Sequence, residues 1–154
     1  MIPGQKEDAE VLRHGLLAGC RTVADVVAWA DSIIAADTRP DIAIIEVATS
    51  ARRSRGDVMA LLRTVPGDYD PVTVVRRFMA DLRVALTAEP NRGPEIADHL
   101  YQLAISGELP LEQFGQEPYS FGDRFDLAQS GIYGTNEDVL RALDAYLARH
   151  SRPS

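Results

Sequence analysis

Hydrophobic positions recur along this chain at helical intervals. From Thr22 to Ala36, Val23, Val26, Val27, Ala30, Ile33 and Ile34 follow i, i+3, i+4, i+7 spacing, which puts them on one stripe of an amphipathic helix. Asp8 to Ala18 carries Val11, Leu12, Leu16 and Leu17 and stops at Gly19, so a shorter helix is expected there, forming an antiparallel hairpin with the next. The β-branched run from Ile42 to Val47 would suit a strand, but no second strand exists to pair with it, and Asp41–Thr49 is read as a short buried helix. Ser54 opens a helix with Val58, Leu61, Leu62 and Val65 inward, stopped at Pro66-Gly67. In the next helix Val74, Val75, Phe78, Met79, Leu82, Ala85 and Leu86 make a broad apolar face. Another runs from Pro94-Glu95 through Ile96, Ala97, Leu100, Tyr101, Ala104 and Ile105 to Gly107. A loop from Glu108 to Tyr119 leads to a short helix from Ser120 to about Ser130 and a last one from Thr135 to Arg149.

The same signal introduces several of these segments: a small hydroxyl residue, two spacers, an aspartate and a β-branched residue. It occurs at Thr22/Asp25, Thr38/Asp41, Ser54/Asp57 and Thr135/Asp138. A hydroxyl at the N-cap accepts a hydrogen bond from an orphan N–H of the first turn, and the carboxylate three residues on faces the positive end of the helix dipole. Asp70-Pro71 is a second kind of start, with Asp70 as cap and Pro71 at the first helical position, where its missing N–H costs nothing. Ser120 is expected to cap in the same way, with Tyr119 before it as a hydrophobic staple.

The first three signals and Asp70 start 16 residues apart, as a solenoid of helical pairs would. Beyond the caps the segments are unlike, and an ordinary helix plus an ordinary connection already spans about 16 residues. No linker or low-complexity tract divides the chain. The expectation is an all-α fold in which residues 1–154 form a single helical domain, an irregular bundle of seven or eight short helices packed as antiparallel hairpins.

Composition narrows the setting. One cysteine, Cys20, cannot form an internal disulfide, the N-terminus lacks the basic and apolar segments of a secretion signal, and no apolar run approaches the ~20 residues of a membrane span. A cytoplasmic protein without membrane contact is expected. Fifteen of the 16 basic residues are Arg, which, with the abundant alanine, hints at a GC-rich bacterial genome. The net charge of −7 is uneven: residues 1–77 hold 11 acids and 10 bases, whereas 78–154 hold 12 acids and 6 bases. Between 95 and 126, seven acids face Arg124 alone. Such a stretch repels phosphates and attracts a basic partner, although an acidic face also serves solubility.

Signatures of catalysis are missing. The single lysine, Lys6, follows no glycine loop, no two glycines stand one residue apart, and neither G-x-S-x-G nor S-x-x-K occurs. His14, His99 and His150 lie far apart; Glu10/His14 and Glu95/His99 are i, i+4 neighbours expected to form surface pairs rather than metal ligands. Asp68-Tyr69-Asp70 begins like a calcium loop but lacks its remaining ligands. Cys20 lies beside Arg21 ahead of a helix start, which would lower a thiol pKa; no base is placed near it, and a structural role is expected. Arg52, Arg53 and Arg55 form a basic cluster, but a pI near 4.9 argues against nucleic acid. The expectation is a non-enzyme with no catalytic residues, metal or cofactor.

One segment stands apart. Phe114, Tyr119, Phe121 and Phe125 are interleaved with Glu112, Glu117, Asp123 and Asp126. Rings supply rigid contact area and carboxylates pair with Lys or Arg, so Glu108, Glu112, Phe114, Glu117, Tyr119, Asp123 and Asp126 are the expected partner-binding residues. The phenylalanines could equally anchor the loop onto the core. In format, and through the acidic aromatic run from Glu112 to Asp126, the chain resembles the small acidic immunity proteins that bacteria make against basic toxin domains. That resemblance implies a tight one-to-one complex with a basic cognate toxin, often a nuclease. The alternatives are a regulatory or scaffold module binding a cytoplasmic protein, and a small enzyme without a recognisable motif.

Overall fold

The computed structural model describes residues 1–152, and among them every regular element is helical. The α-helices are α1 (Gln5–Ala18), α2 (Val23–Ala36), α3 (Ile42–Ala48), α4 (Arg55–Arg63), α5 (Pro71–Ala88), α6 (Gly93–Ser106), α7 (Leu111–Phe114), α8 (Phe121–Gln129) and α9 (Asn136–His150), with 3-10 turns at Pro90–Arg92 and Glu117–Tyr119. The count among the described residues exceeds the seven or eight expected because the segment read as a loop contains α7. Asp41–Thr49 is a helix, not a strand, as expected. No helix is long and apolar enough to cross a membrane.

Most starts form as their residue types dictate. Thr22 accepts from the Asp25 N–H at 3.1 Å while Asp25 accepts from the Thr22 N–H at 2.8 Å, a complete capping box. Ser54 and Thr135 cap α4 and α9 by accepting from the Asp57 and Asp138 N–H groups. The Thr38 signal is displaced: the helix begins at Ile42, so α3 is capped by Asp41 itself, whose carboxylate accepts from the Ala43 N–H two residues on at 2.9 Å. At the other end of α1, Gly19 takes the left-handed conformation (φ 74°) that lets its N–H bond back to Gly15 and Leu16 carbonyls.

The contacts gather in two compact units, the first Met1–Asp70, the second beginning at Pro71. The first is built on Ala9, Leu16, Val26, Ala30, Ile33, Ala43, Ile44, Val47, Val58, Leu62 and Val65. Within it α1 packs chiefly on α4 and α2 on α3, so the expected α1–α2 hairpin is not the main pairing. The cause lies in the first turns of α1, which begins at Gln5 rather than Asp8. Lys6 donates to the Arg63 carbonyl at 2.8 Å, where α4 ends and its carbonyls lack helical partners, and Gln5 donates to the Pro66 carbonyl beyond that end at 3.2 Å. This polar stripe is buried. Glu10, expected on the surface beside His14, is 4% exposed, as is His14, and Glu10 accepts from Lys6 Nζ at 2.9 Å and Arg13 Nε at 2.8 Å.

In the second unit α5 packs on α9, α6 on α8, and α8 on α9. Val74, Val75, Phe78, Met79, Leu82 and Leu86 of α5 are buried, matching their periodicity, together with Ile96, Ala97 and Leu100 of α6 and Val139, Leu143, Tyr146 and Leu147 of α9. The Arg76 guanidinium donates to the His150 and Arg152 carbonyls at 3.5 and 3.0 Å, placing a cation at the negative end of α9.

Candidate functional site

The segment that follows α6 is held by its apolar residues. Leu109 and Phe114 are buried, and the Tyr146 hydroxyl donates to the Phe114 carbonyl at 2.8 Å. Burial pushes the Tyr146 phenol well above its usual range, helped by the Glu117 charge, so it remains a donor. The Phe114 and Tyr146 rings both pack on His150, at 5.5 and 4.5 Å, and burial followed by the Arg149 charge holds that imidazole below its ordinary value and favours its neutral form. Gly115 then turns the chain at φ 73°, ψ −176°, a conformation an L side chain rarely adopts. The 3-10 turn Glu117–Tyr119 leads directly into α8, which Phe121 and Phe125 pin inward at 1% exposure each. Ser120 does not cap α8: its backbone is helical, and its hydroxyl donates to the Glu117 carbonyl at 3.0 Å, closing the turn instead.

This arrangement sorts the aromatics. Phe114 was expected on the partner face and is fully buried, because an apolar ring on a short helix over a large core has more to gain inside. Tyr119 stays at the surface, 40% exposed, and meets Tyr101 of α6, also 40% exposed, with ring centroids 6.1 Å apart and planes at 83°. Both tyrosines line a cleft of about 540 Å³ between α6, the 3-10 turn and α8, together with Asp98, Asp123, Asp126 and Phe125.

Of the expected partner-binding residues, Tyr119, Asp123 and Asp126 come together in this cleft. The others do not. Glu117 turns toward Arg149, at 3.5 Å; Glu112 is exposed on α7 and Glu108 half-buried ahead of it, and neither lines the cleft. Among the other lining residues, Asp98 and Tyr101 carry the charge and exposed ring that sequence reasoning missed. Tyr101 was assigned to the apolar face of α6, and Asp98 was only one acid of a charged stretch; their separation by three residues, one helical turn, was the available signal.

The charges in the cleft are uncompensated. One turn earlier on α6, Glu95 accepts from Arg92 at 3.1 Å and faces His99 at 3.7 Å, and the Arg92 hydrogen bond holds its carboxyl below the ordinary value. Asp98, Asp123 and Asp126 have no such partner among the described residues. Arg124, the one base of α8, lies over the Phe121 ring at 5.7 Å and does not line the cleft. Nor do the carboxylates converge: among the described residues no three of His, Cys, Asp or Glu are placed to hold a metal ion. Cys20 is half-buried, and its N–H closes the end of α1 on the Gly15 carbonyl at 2.8 Å.

Beyond α8, Gly131 and Gly134 bracket Ile132 and Tyr133, which are 72% and 78% exposed. The chain there folds back so that the Ile132 N–H reaches the Leu127 carbonyl at 3.0 Å. An apolar concavity of about 550 Å³ lies along α5 at Ala80, Val84 and Ala88, where Arg83 is engaged with Asp144 at 3.0 Å. In comparisons with known proteins, the chain matches no protein-family model, no curated protein and no solved structure.

Proposed function

We propose that this chain is a non-catalytic protein-binding module that takes a basic partner in the cleft between α6 and α8. The observation that supports it is the set of three aspartates, Asp98, Asp123 and Asp126, left without a base beside two half-exposed tyrosines. Acids on a soluble surface are commonly relieved by neighbouring Arg or Lys, as Glu95, Asp138 and Asp144 are here. Concentrating three unrelieved carboxylates in a concave, aromatic-walled site favours a cation and raises the rate at which a positively charged protein arrives. Neutralisation of a basic toxin domain, such as a nuclease, is the specific form of this proposal, and regulation of a basic cytoplasmic protein is its alternative.

The test is comparative capture from a lysate of the source cells. The wild-type chain and an Asp98→Asn/Asp123→Asn/Asp126→Asn variant are immobilised side by side at low salt. A basic protein held by the first and lost by the second, with the variant still fully helical by circular dichroism, is the expected result. Equal retention on both surfaces would remove the cleft from the interaction.

A further inference from the structure

We propose that the cleft is an arginine site: the residue it accepts from the partner is an Arg side chain, held by stacking on the Tyr101/Tyr119 pair and by hydrogen bonds to the aspartates. This rests on the reading of the cleft as the partner-binding surface and adds the chemistry of what enters it. Three features select the guanidinium over other cations. The carboxylates are spread over two helices, Asp98 on α6 and Asp123 and Asp126 one turn apart on α8, and they are not arranged around a point where a small ion could sit. A planar fork of five N–H donors can serve separated acceptors, whereas an ammonium is a point charge. The rings stand at 83° to each other, so one offers a face beside the other's edge, and a flat cation stacks on such a face while its in-plane N–H groups reach outward. Both tyrosines remain 40% exposed, so ring surface is left for a cation to cover, and a planar, weakly hydrated guanidinium covers a ring more readily than a strongly hydrated ammonium.

The chain carries a competing source of arginine. Arg52 and Arg53 ahead of α4 and Arg55 at its start are exposed and have no acidic partner among the described residues, so a second copy could offer the same group. A second copy would bring its own net charge of −7 together with that cluster, which favours a foreign basic segment, and the experiment separates the two.

Blocked pentapeptides with Arg or Lys between glycines are titrated into the isotopically labelled full chain at low salt, and resonances of Tyr101, Tyr119, Asp98, Asp123 and Asp126 are followed. The Arg peptide is expected to shift them and to bind roughly three- to tenfold more tightly than the Lys peptide. Tyr101→Leu and Tyr119→Leu should erase that preference, while Asp123→Asn and Asp126→Asn should weaken both peptides alike. Equal binding of Arg and Lys would overturn the arginine assignment and leave the basic-partner reading standing. Failure of both peptides to move these resonances would overturn both. Shifts produced by raising the concentration of the chain itself, and abolished by Arg52→Ala/Arg53→Ala/Arg55→Ala, would identify a second copy as the occupant and overturn the foreign one.

Discussion

The Tyr146 hydroxyl and the Phe114 carbonyl, 32 residues apart in the chain, share a buried 2.8 Å hydrogen bond that ties the segment ahead of the cleft to α9. Removing the hydroxyl leaves a buried carbonyl without its donor, a loss of about 1–3 kcal/mol. Tyr146→Phe should lower the unfolding free energy by that amount and speed hydrogen exchange from Phe114 to Tyr119 more than elsewhere in the second unit. Denaturant unfolding and amide exchange measure both. Unchanged exchange in this segment would mean that packing of Phe114 alone holds it.

Capping separates positions that look alike in sequence. Thr22→Ala and Thr135→Ala each remove a side-chain acceptor that the structure shows engaged, at a cost of about 1 kcal/mol. Thr38→Ala and Ser120→Ala remove hydroxyls that cap no helix, and should change stability by less than ~0.5 kcal/mol. Thermal or chemical unfolding of the four variants gives the comparison, and equal losses at all four would refute the assignment of the caps.

The helix signals were legible because a cap acts within four residues, and periodicity identified the face of α5 because all of its stripe is covered. Tertiary choices were not legible. Leu17 and Glu10 have the wrong burial for their types: Leu17 is 40% exposed while Glu10 is inside, because the first turns of α1 dock on the segment where α4 ends and Lys6 and Arg13 pair with Glu10 there. Phe114 and Tyr119 lie five residues apart in one acidic run, yet the phenyl is interior and the phenol stays in water. Tyr119, Asp123 and Asp126 were anticipated, on the side that the 3-10 turn and α8 supply. Asp98 and Tyr101 escaped because a site shared by two helices has no contiguous pattern.

The buried Glu10 predicts an acid-sensitive first unit. Burial alone would raise its carboxyl, but hydrogen bonds from Lys6 and Arg13 outweigh that and hold it below the ordinary value of 4.5. For a carboxyl lowered in the native state, the stabilisation is fully present above the unfolded value and disappears as pH falls through the native one. Stability should therefore decline as pH drops below about 4.5, the ordinary carboxyl value. Glu10→Gln should flatten that decline while lowering stability near neutrality by about 3 kcal/mol, since Lys6 and Arg13 keep their charges with no counter-charge at position 10. Urea midpoints from pH 3 to 7 test it; parallel curves for the two proteins would remove Glu10 as the group responsible.

Charge and ring in the cleft should affect binding through different rates. Exposed carboxylates act at a distance and are screened within a Debye length of about 10 Å at 0.1 M salt, so charge reversal at Asp98, Asp123 and Asp126 should slow association, most clearly at low ionic strength. Tyr119 acts on contact. Tyr119→Ala should leave association nearly unchanged and raise the dissociation rate by at least tenfold, the effect of losing an aromatic anchor worth about 1.5–2 kcal/mol. Glu112 and Glu117 supply the control: both were expected to bind, but Glu112 lies outside the cleft and Glu117 already faces Arg149, so reversing either should slow association less than reversing Asp123. Surface plasmon resonance against the captured basic partner, run at two salt concentrations, gives each rate. If Glu112 and Glu117 matter as much as the three aspartates, the whole acidic stretch steers the partner and the cleft has no special part in the encounter.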